Sequence, residues 1–365
     1  MKFSLVACLL GATTLATAVS HELEKAPVHR LGKRCTGTIA SLKDVAAAVK
    51  CQTVNIKSFT VDAGKTFELD LVDGAVVNLQ GDITFGSKSW EGPLMLIQGK
   101  DVTFNGGGHK LDGQGAKLWD SLGGNGGVTK PKFFKVKMSG VMDNFTLLNQ
   151  PVQGFSVSNP AKLVMSNIIV DVRAGAAKGH NTDAFDVAFV KDLTITHATV
   201  YNQDDCVAIN DGDGITIENS TCIGGHGISV GSIKANKVVK NVVIQNNKII
   251  DNDNGLRIKT YDNQPGASVS NVRYTGNVVT NAKKAGVIIQ QDYTNEGATG
   301  KTTVGVPISG VHFTGTNSVS VASGAKRVYI LCAKGSCSDF DFAGLKTSGG
   351  SAGAITNVSV KNYSL

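Results

Sequence analysis

The sequence has no apolar run long enough to cross a membrane. Its most apolar stretch, Leu5 to Ala18, is shorter than the roughly 20 residues that a spanning helix needs. That stretch follows Met1-Lys2 and ends in the small residues Ala16-Thr17-Ala18, a pattern typical of a secretory signal with its cleavage site. We therefore expect residues 1–18 to be a signal peptide, and the mature protein to be secreted, extracellular and free of membrane contacts.

The segment between this signal and the first cysteine of the mature chain is polar. Residues 19–34 end in the dibasic pair Lys33-Arg34, which favours a short propeptide; an arm that stays attached is the alternative. Removing residues 1–34 takes away five of the 36 Lys and Arg residues and two of the 29 Asp and Glu residues, which leaves a formal net charge of +4. A mildly positive charge suits a polyanionic partner without identifying one.

Cysteines with the spacing of a zinc site are missing, so we expect no metal centre. Cys8 falls in the signal, which leaves an even set of cysteines that can pair in more than one way. The most economical scheme joins near neighbours, because each bridge then closes a local loop. The expected disulfides are Cys35–Cys51, Cys206–Cys222 and Cys332–Cys337.

Linkers and helices are scarce as well. No Pro-rich or Ser-rich segment divides residues 35–365, so we expect a single domain. Most of this part consists of short runs rich in Val, Ile and Thr, separated by Asn, Asp and Gly, which is typical of strands and turns. One short helix is predicted after Ser41 as its N-cap. The apolar face of this helix would consist of Leu42, Val45, Ala46 and Val49.

The apolar runs repeat along the chain. Runs of a first set place two apolar residues around one middle position and follow each other at intervals of 21 to 31 residues, and runs of a second set fall between them. Such repeats without intervening helices predict an all-β protein, a right-handed parallel β-helix whose coils stack into a solenoid. A sandwich or jelly roll would need antiparallel hairpins instead. The short N-terminal helix would cap the open end of the stack. The first set is Phe185–Val187, Val207–Ile209, Ile228–Val230, Leu256–Ile258 and Val287–Ile289; the second is Leu193–Ile195, Ile215–Ile217, Val242–Ile244 and Val272–Tyr274.

Stacking places acidic residues close together. Equivalent positions on successive coils lie about 4.8 Å apart, the distance between neighbouring strands. The position two residues before each first-set run holds Asp183, Asp205 and His226 on three consecutive coils. Stacked carboxylates repel, so at least one keeps its proton to higher pH, as acid–base catalysis requires. Single Asp residues often only brace turns, but that role does not account for a cluster of like charges. Asp204 stands beside this stack, and Arg257 and Lys259 follow on the next coil.

Four short motifs occur in the order and spacing of the fungal polygalacturonases, a glycoside hydrolase family that the sequence resembles over nearly all of residues 35–365. They are Asn181-Thr-Asp183, Gln203-Asp-Asp-Cys206, Gly225-His-Gly227 and Arg257-Ile-Lys259, and Leu111–Gly115 and Gln290–Tyr293 extend the similarity. The resemblance implies a right-handed parallel β-helix and the hydrolysis, with inversion, of α-1,4-linked galacturonan in plant cell-wall pectin. No long insertion closes the ends of the expected cleft, which favours endo attack.

The resemblance also assigns roles to individual residues. Among the catalytic residues, Asp204 is similar to the general acid, Asp183 and Asp205 are similar to the pair that activates water, and His226 is similar to a residue that tunes the acid. Among the substrate-binding residues, Arg257 and Lys259 are similar to ligands of a substrate carboxylate. Tyr293 is similar to a substrate-contacting aromatic residue, and Asn181 to a polar neighbour of the site. The expected partners are the polygalacturonate polysaccharide and plant inhibitor proteins. We expect no cofactor and no nucleic acid, and a monomeric protein.

Two other functions share the predicted fold. A pectate lyase would break the same polymer by β-elimination with calcium and an arginine base, but segments 210–214 and 251–255 lack the complete pattern of a calcium loop. A non-catalytic wall-binding protein would have lost the acidic cluster, which is intact. We assign Asp186 a structural role, and Trp90 and Trp119 are too few for a sugar-stacking platform. The glycosylation candidates are the sequons at Asn144, Asn219, Asn357 and Asn362.

Overall fold

A computed structural model of the protein describes residues 33–365. The predicted signal peptide and nearly all of the predicted propeptide lie outside these residues, whereas Lys33 and Arg34 open the first strand. The described residues belong to one compact unit. Within the described part of the chain, no helix has the length and apolar character of a membrane span.

Short strands dominate the described residues. The strands are, in chain order, β1 (Lys33–Ile39), β2 (Cys51–Ile56), β3 (Phe59–Val61), β4 (Phe67–Asp70), β5 (Val76–Leu79), β6 (Ile83–Phe85), β7 (Met95–Asn105), β8 (Lys110–Asp112), β9 (Phe134–Leu148), β10 (Phe155–Val157), β11 (Leu163–Asp171), β12 (Phe185–Val187), β13 (Val190–Thr196), β14 (Thr199–Tyr201), β15 (Val207–Ile209), β16 (Gly212–Glu218), β17 (Thr221–Ile223), β18 (Ile228–Ile233), β19 (Val238–Gln245), β20 (Lys248–Ile250), β21 (Asn254–Thr260), β22 (Ser268–Thr275), β23 (Val278–Ala282), β24 (Ala285–Gln290), β25 (Tyr293–Thr294), β26 (Gly297–Ala298), β27 (Ile308–Thr314), β28 (Asn317–Leu331), β29 (Cys337–Asp341), β30 (Leu345–Thr356) and β31 (Val360–Lys361).

Parallel pairing arranges these strands in three faces, and the coils wind in the right-handed sense, so the predicted parallel β-helix is confirmed. The longer strands β7, β9, β11, β28 and β30 bend from one face to another and therefore pair in two of them or more. Apart from the solenoid, β25 and β26 form a small antiparallel hairpin. The first face runs β4, β7, β9, β10, β12, β15, β18, β21, β24, β28, β30; the second β1, β2, β5, β7, β9, β11, β13, β16, β19, β22, β27, β29, β31; and the third β3, β6, β8, β9, β11, β14, β17, β20, β23, β28, β30.

Stacked aromatic rings fill the interior behind the first face. In β10 and β12, Phe155 and Phe185 lie in register, and their rings stack with centroids 5.0 Å apart. Phe134 of β9 continues this column at 5.5 Å from Phe155. Because side chains alternate along a strand, the middle residue of each three-residue run points away from this core. The aromatic column therefore fixes the register in which outward-facing residues line up on the first face.

The N-terminal helix is shorter than the sequence pattern suggests. A 3₁₀ turn, Leu42–Asp44, precedes the single α-helical turn α1 (Val45–Ala48). Ala48 is buried against Gly37 of β1, where a Cβ atom would lie 2.6 Å from the Ala48 Cα, whereas Ala46 is exposed. Ser41 does not cap a backbone N–H; its hydroxyl donates to the Asp44 carboxylate at 2.9 Å. Among the described strands, β1 pairs with β2 alone, so it is the first strand of its face. Because α1 packs on β1 through Ala48 and Gly37, it covers the first coil as predicted.

The disulfides join cysteines that are near neighbours in sequence, and the sequons lie on the surface. All three expected disulfides are present, Cys35–Cys51, Cys206–Cys222 and Cys332–Cys337, so the near-neighbour pairing is confirmed. The four sequon asparagines are exposed. Each adopts a positive φ, which asparagine tolerates better than most residues. Their glycosylation stays a prediction. The sequons are Asn144, Asn219, Asn357 and Asn362.

Candidate active site

The predicted stack of Asp183, Asp205 and His226 is present. Phe185 of β12 pairs with Val207 of β15, which in turn pairs with Ile228 of β18, so the residues two positions earlier occupy three consecutive coils. These residues open onto a cleft of about 750 Å³ on the first face. The cleft brings together every residue that the sequence assigned to the site. Its lining includes Asn181, Asp183, Asp204, Asp205, His226, Arg257, Lys259 and Tyr293.

Asp204 and Asp205 both line this cleft although they are consecutive residues. The chain bends at Gln203 and Asp204, and the side-chain amide of Asn202 holds the bend. Its Nδ2 donates to the carbonyl oxygens of Thr182, Asp204 and Asp205 at 2.9, 3.0 and 2.9 Å. The Asp205 N–H then donates to Asp204 Oδ1 at 2.8 Å. The buried amide therefore replaces the strict alternation of a strand with a geometry in which both carboxylates face one space.

His226 and Asp204 form a hydrogen-bonded pair. His226 Nδ1 lies 2.9 Å from Asp204 Oδ1, and Asn181 Nδ2 donates to Asp204 Oδ2 at 3.1 Å. Burial alone would raise the pKa of Asp204, but the hydrogen bond and the charge of His226 lower it to about 2. Burial likewise opposes the charge of His226, yet Asp204 outweighs it and raises the His226 pKa above 6.5. Below the raised pKa of His226, the proton of this pair therefore resides on the imidazole rather than on Asp204.

Asp205 is paired with a lysine from two coils away. Lys259 Nζ donates to Asp205 Oδ2 at 2.7 Å, and the Ser229 hydroxyl donates to Asp205 Oδ1 at 2.7 Å. Both partners are buried, with side-chain exposures of 7% for Lys259 and 1% for Asp205. Burial disfavours the charge on Lys259, but Asp205 overcomes this and raises the Lys259 pKa. Lys259 therefore holds Oδ2 of Asp205 and Ser229 holds Oδ1, and together they fix the orientation of the carboxylate.

Asp183 and Asp186 complete the acidic cluster. Burial raises the pKa of Asp183 well above 3.8, and the neighbouring carboxylates, Asp204 first, raise it further. Burial also raises the pKa of Asp186 to about 7, against the opposing charge of Lys132. Asp186, for which we expected a structural role, also lines the cleft. The site thus combines carboxyl groups with pKa values pushed in opposite directions, the arrangement that acid–base chemistry requires.

Cationic and aromatic groups lie on the coil beyond His226. The Arg257 guanidinium carbon is 5.2 Å from the centroid of the Tyr293 ring, and Lys259 Nζ is 4.9 Å from the same centroid. Arg257 Nη2 donates to Gln290 Oε1 at 3.4 Å, whereas its buried Nε has no hydrogen-bond partner in the described structure. A planar guanidinium with an unused donor suits a carboxylate ligand.

A family model described as Glycosyl hydrolases family 28 matches residues 51–364. The chain belongs to this family. Endopolygalacturonase 1 of Colletotrichum lindemuthianum is 46% identical over 89% of this chain and 90% of its own, and endopolygalacturonase B of Emericella nidulans is 42% identical over 96% and 95%. Endopolygalacturonase I from Stereum purpureum, solved with two galacturonate molecules, superposes with a TM-score of 0.84 at 41% identity and covers 88% of this chain and 98% of its own.

Several residues of this family 28 site escaped the sequence reasoning. Ser229 occupies the outward position of its run, one residue after Ile228, and the repeat itself could have identified it. Asp253 Oδ2 lies 3.6 Å from His226 Nε2 and 2.7 Å from Lys284 Nζ, in an irregular segment that no repeat marks. Trp119 is not a sugar platform, because it is buried in the core and its Nε1 donates to the Gln150 carbonyl at 3.2 Å.

Proposed function

We propose that the protein is a secreted endopolygalacturonase that hydrolyses α-1,4-D-galacturonosyl linkages of polygalacturonate with inversion, in the degradation of plant cell-wall pectin. The observation that carries the proposal is the convergence of the Asp204–His226 pair, the Asp205–Lys259 pair and Asp183 in one cleft of a family 28 chain. The names of the relatives support the endo assignment. In this proposal residues 35–365 are the catalytic domain, which acts as a monomer after propeptide removal. Plant inhibitor proteins stay a predicted partner.

The proton donor is the Asp204–His226 pair. A carboxyl group whose pKa is about 2 has no proton at neutral pH, so Asp204 alone cannot protonate the leaving oxygen of the glycosidic bond. His226 holds the proton 2.9 Å away, between its Nδ1 and Asp204 Oδ1. A bound galacturonate excludes water and adds negative charge, both of which raise the pKa of a carboxylate. Under these conditions the proton passes to Asp204, which delivers it to the leaving oxygen.

Asp183 and Asp205 activate the attacking water. Asp205 is held in place by Lys259 and Ser229, so its orientation towards the cleft is fixed before substrate binds. Asp183 lies one coil earlier, and its raised pKa makes its ionised form a stronger base than an exposed carboxylate. The water loses its proton to this pair while its oxygen bonds to the anomeric carbon and the glycosidic bond breaks. Arg257, with Tyr293 over its guanidinium, binds the carboxylate of an adjacent sugar.

The reaction is tested by incubating the protein with polygalacturonate in the presence of EDTA. We expect new reducing ends, rapid shortening of the polymer, no ultraviolet-absorbing unsaturated products, and a β anomer as the first product in NMR spectra. Asp204, Asp205 and His226 offer ligand atoms within 4.8 Å of one another, but Asp205 already pairs with a lysine and Asp204 with the histidine. Unsaturated products that disappear with EDTA would instead identify a calcium-dependent lyase.

The pH dependence of catalysis should follow His226. Its pKa is raised above 6.5, so His226 is protonated below that raised value and loses its proton as pH increases through it. We expect kcat/KM to decline on the alkaline side with this deprotonation. A His226→Gln variant should lose about tenfold or more in kcat/KM and no longer show the same alkaline limb.

The matched control for this pH profile is His180→Gln. His180 lines the same cleft, but its Nε2 faces Asn125 at 3.5 Å rather than a carboxylate of the acidic cluster. The His180 variant should keep the alkaline limb of the wild-type protein. If instead His226→Gln keeps that limb unchanged, the proton of the Asp204–His226 pair does not limit the reaction.

A further inference from the structure

Resting on the proposed function, we propose that Asp253 is a positioning residue for His226: its carboxylate faces the ring nitrogen that Asp204 does not, and it stabilises the imidazolium. His226 lies between two carboxylates, with Nδ1 2.9 Å from Asp204 Oδ1 and Nε2 3.6 Å from Asp253 Oδ2. The second distance is too long for a hydrogen bond but short for two opposite charges. Only the imidazolium has an N–H on both nitrogens, so only this form directs a proton at each carboxylate.

The backbone fixes Asp253 beside His226. The Asp253 N–H donates to the Gly225 carbonyl oxygen at 2.8 Å, and the Gly227 N–H donates to the Asn252 side chain at 2.9 Å. The residues on both sides of His226 are therefore bonded to the segment that carries Asp253. The Asp253 side chain is 25% exposed, so solvent screens its charge less than that of a surface carboxylate.

Lys284 moderates the charge of Asp253. Asn254 of β21 pairs with Ala285 of β24, so Asp253 and Lys284, one residue earlier on each coil, lie side by side. Lys284 Nζ is 2.7 Å from Asp253 Oδ2, the same oxygen that faces His226. The lysine side chain is 71% exposed, so the pair is weakly held and only partly neutralises the carboxylate. Asp253 therefore acts on two cations at once.

Three carboxylates act on His226. Burial opposes the charge of the imidazole most, and Asp204, then Asp205 and Asp253, raise its pKa against that burial. Asp204 takes part in the proton transfer itself, and Asp205 is paired with Lys259. Asp253 is therefore the carboxylate whose charge can be removed without breaking either pair. The charged cleft residues on the adjacent coils are Asp204 and Asp205 before His226, Asp253, Arg257 and Lys259 after it, and Lys284 one coil further.

The position of Asp253 also suits the proton transfer. When His226 Nδ1 gives its proton to Asp204, the ring becomes neutral and keeps the proton on Nε2, directed at Asp253. The transferred proton then bonds to the leaving oxygen as the glycosidic bond breaks. A carboxylate beside Nε2 stabilises that N–H before and after the transfer, as a third group does wherever it orients a catalytic histidine. Asp253 thus acts through His226 rather than on the reacting atoms.

The test is an NMR titration of the His226 imidazole in the free protein. In Asp253→Asn we expect the midpoint to move about half a pH unit towards lower pH, the effect of a partly exposed charge pair. Lys284→Gln leaves the whole charge of Asp253 to His226, so its midpoint should move towards higher pH. Asp253→Glu restores the carboxylate and should recover most of the wild-type midpoint. The matched control is Asp251→Asn, because the Asp251 carboxylate accepts a hydrogen bond from Asn281 at 2.6 Å instead of facing His226.

The opposite signs distinguish this inference from a purely structural role of Asp253. An unchanged midpoint in Asp253→Asn, a midpoint in Lys284→Gln that does not rise, or an equal response of Asp251→Asn overturns it. Lys284→Gln changes an exposed side chain, so it tests the inference even if Asp253→Asn does not fold.

Kinetics on polygalacturonate should follow the titration. The loss of kcat/KM in Asp253→Asn should be about threefold greater on the alkaline side than at acidic pH, which is half a pH unit expressed as a ratio. A loss that is the same at every pH would contradict the role of Asp253 in setting the charge of His226. Wild-type protein that releases no reducing ends overturns the proposed function, while the titration, which needs no substrate, still decides the role of Asp253.

Discussion

An Asp204→Asn variant is expected to lose about 10³-fold in kcat on polygalacturonate, the usual contribution of a positioned proton donor. Asparagine keeps the shape of the side chain, and its oxygen still accepts a hydrogen bond, but it cannot receive the proton of His226 and pass it on. The fold should survive, because the change removes a buried negative charge without opening a cavity. Initial rates of reducing-end formation, together with a thermal unfolding curve, measure the two effects.

The Asp204 substitution also has a spectroscopic consequence. The hydrogen bond and negative charge of Asp204 are what raise the pKa of His226 against its burial. Without that charge the His226 pKa should decrease, which an NMR titration of the imidazole detects directly. An Asp213→Asn variant, which removes a partly exposed carboxylate from the second face, far from the acidic cluster, is the control and should change neither rate nor titration. Residual activity above about one tenth of wild type would contradict the role of Asp204 as the donor.

The repeat in the sequence predicts much of this architecture because a β-helix is periodic. Once Phe185, Val207 and Ile228 are recognised as equivalent, hydrogen bonding between coils dictates that the residues two positions earlier stack as well. The same logic would have identified Ser229, which lies in register with Asp186 and Arg257. The disulfide pairing could be predicted because the bridged cysteines are near neighbours in sequence, 16, 16 and 5 residues apart.

Non-periodic features were beyond this reasoning. The bend that turns Asp204 into the cleft depends on three hydrogen bonds from one buried amide, Asn202, which belongs to no repeat. The resemblance implied that Lys259 binds substrate. Its hydrogen bond to Asp205, 54 positions away in sequence, cannot be predicted from the motif that contains either residue. The helix near Ser41 has one α-helical turn, and it packs Ala48, not Ala46, against Gly37, a close approach that the apolar pattern does not show.

The buried Asp205–Lys259 ion pair predicts that loss of Lys259 destabilises the fold. A lysine that only bound substrate would have no such effect on stability. We expect Lys259→Met to reduce the free energy of unfolding by about 3–5 kcal/mol, because it leaves the Asp205 carboxylate buried without its cation. Urea denaturation at neutral pH measures this loss. The raised pKa of Lys259 means that its contribution is fully present below the ordinary lysine pKa of 10.5 and is lost as pH rises through the raised value, so neutral pH reports the whole effect.

Two further variants identify the cause of that loss. Arg257 lies on the same strand as Lys259, but it has no carboxylate partner among the described residues. Arg257→Met should therefore mainly raise KM, and it should reduce the free energy of unfolding by less than about 1 kcal/mol. Combining Lys259→Met with Asp205→Asn should recover much of the stability, because the unpaired charge is gone, while activity stays low. A Lys259→Met protein as stable as wild type, with only KM raised, would instead mean that the lysine serves the substrate alone and that Asp205 is oriented by Ser229 without it.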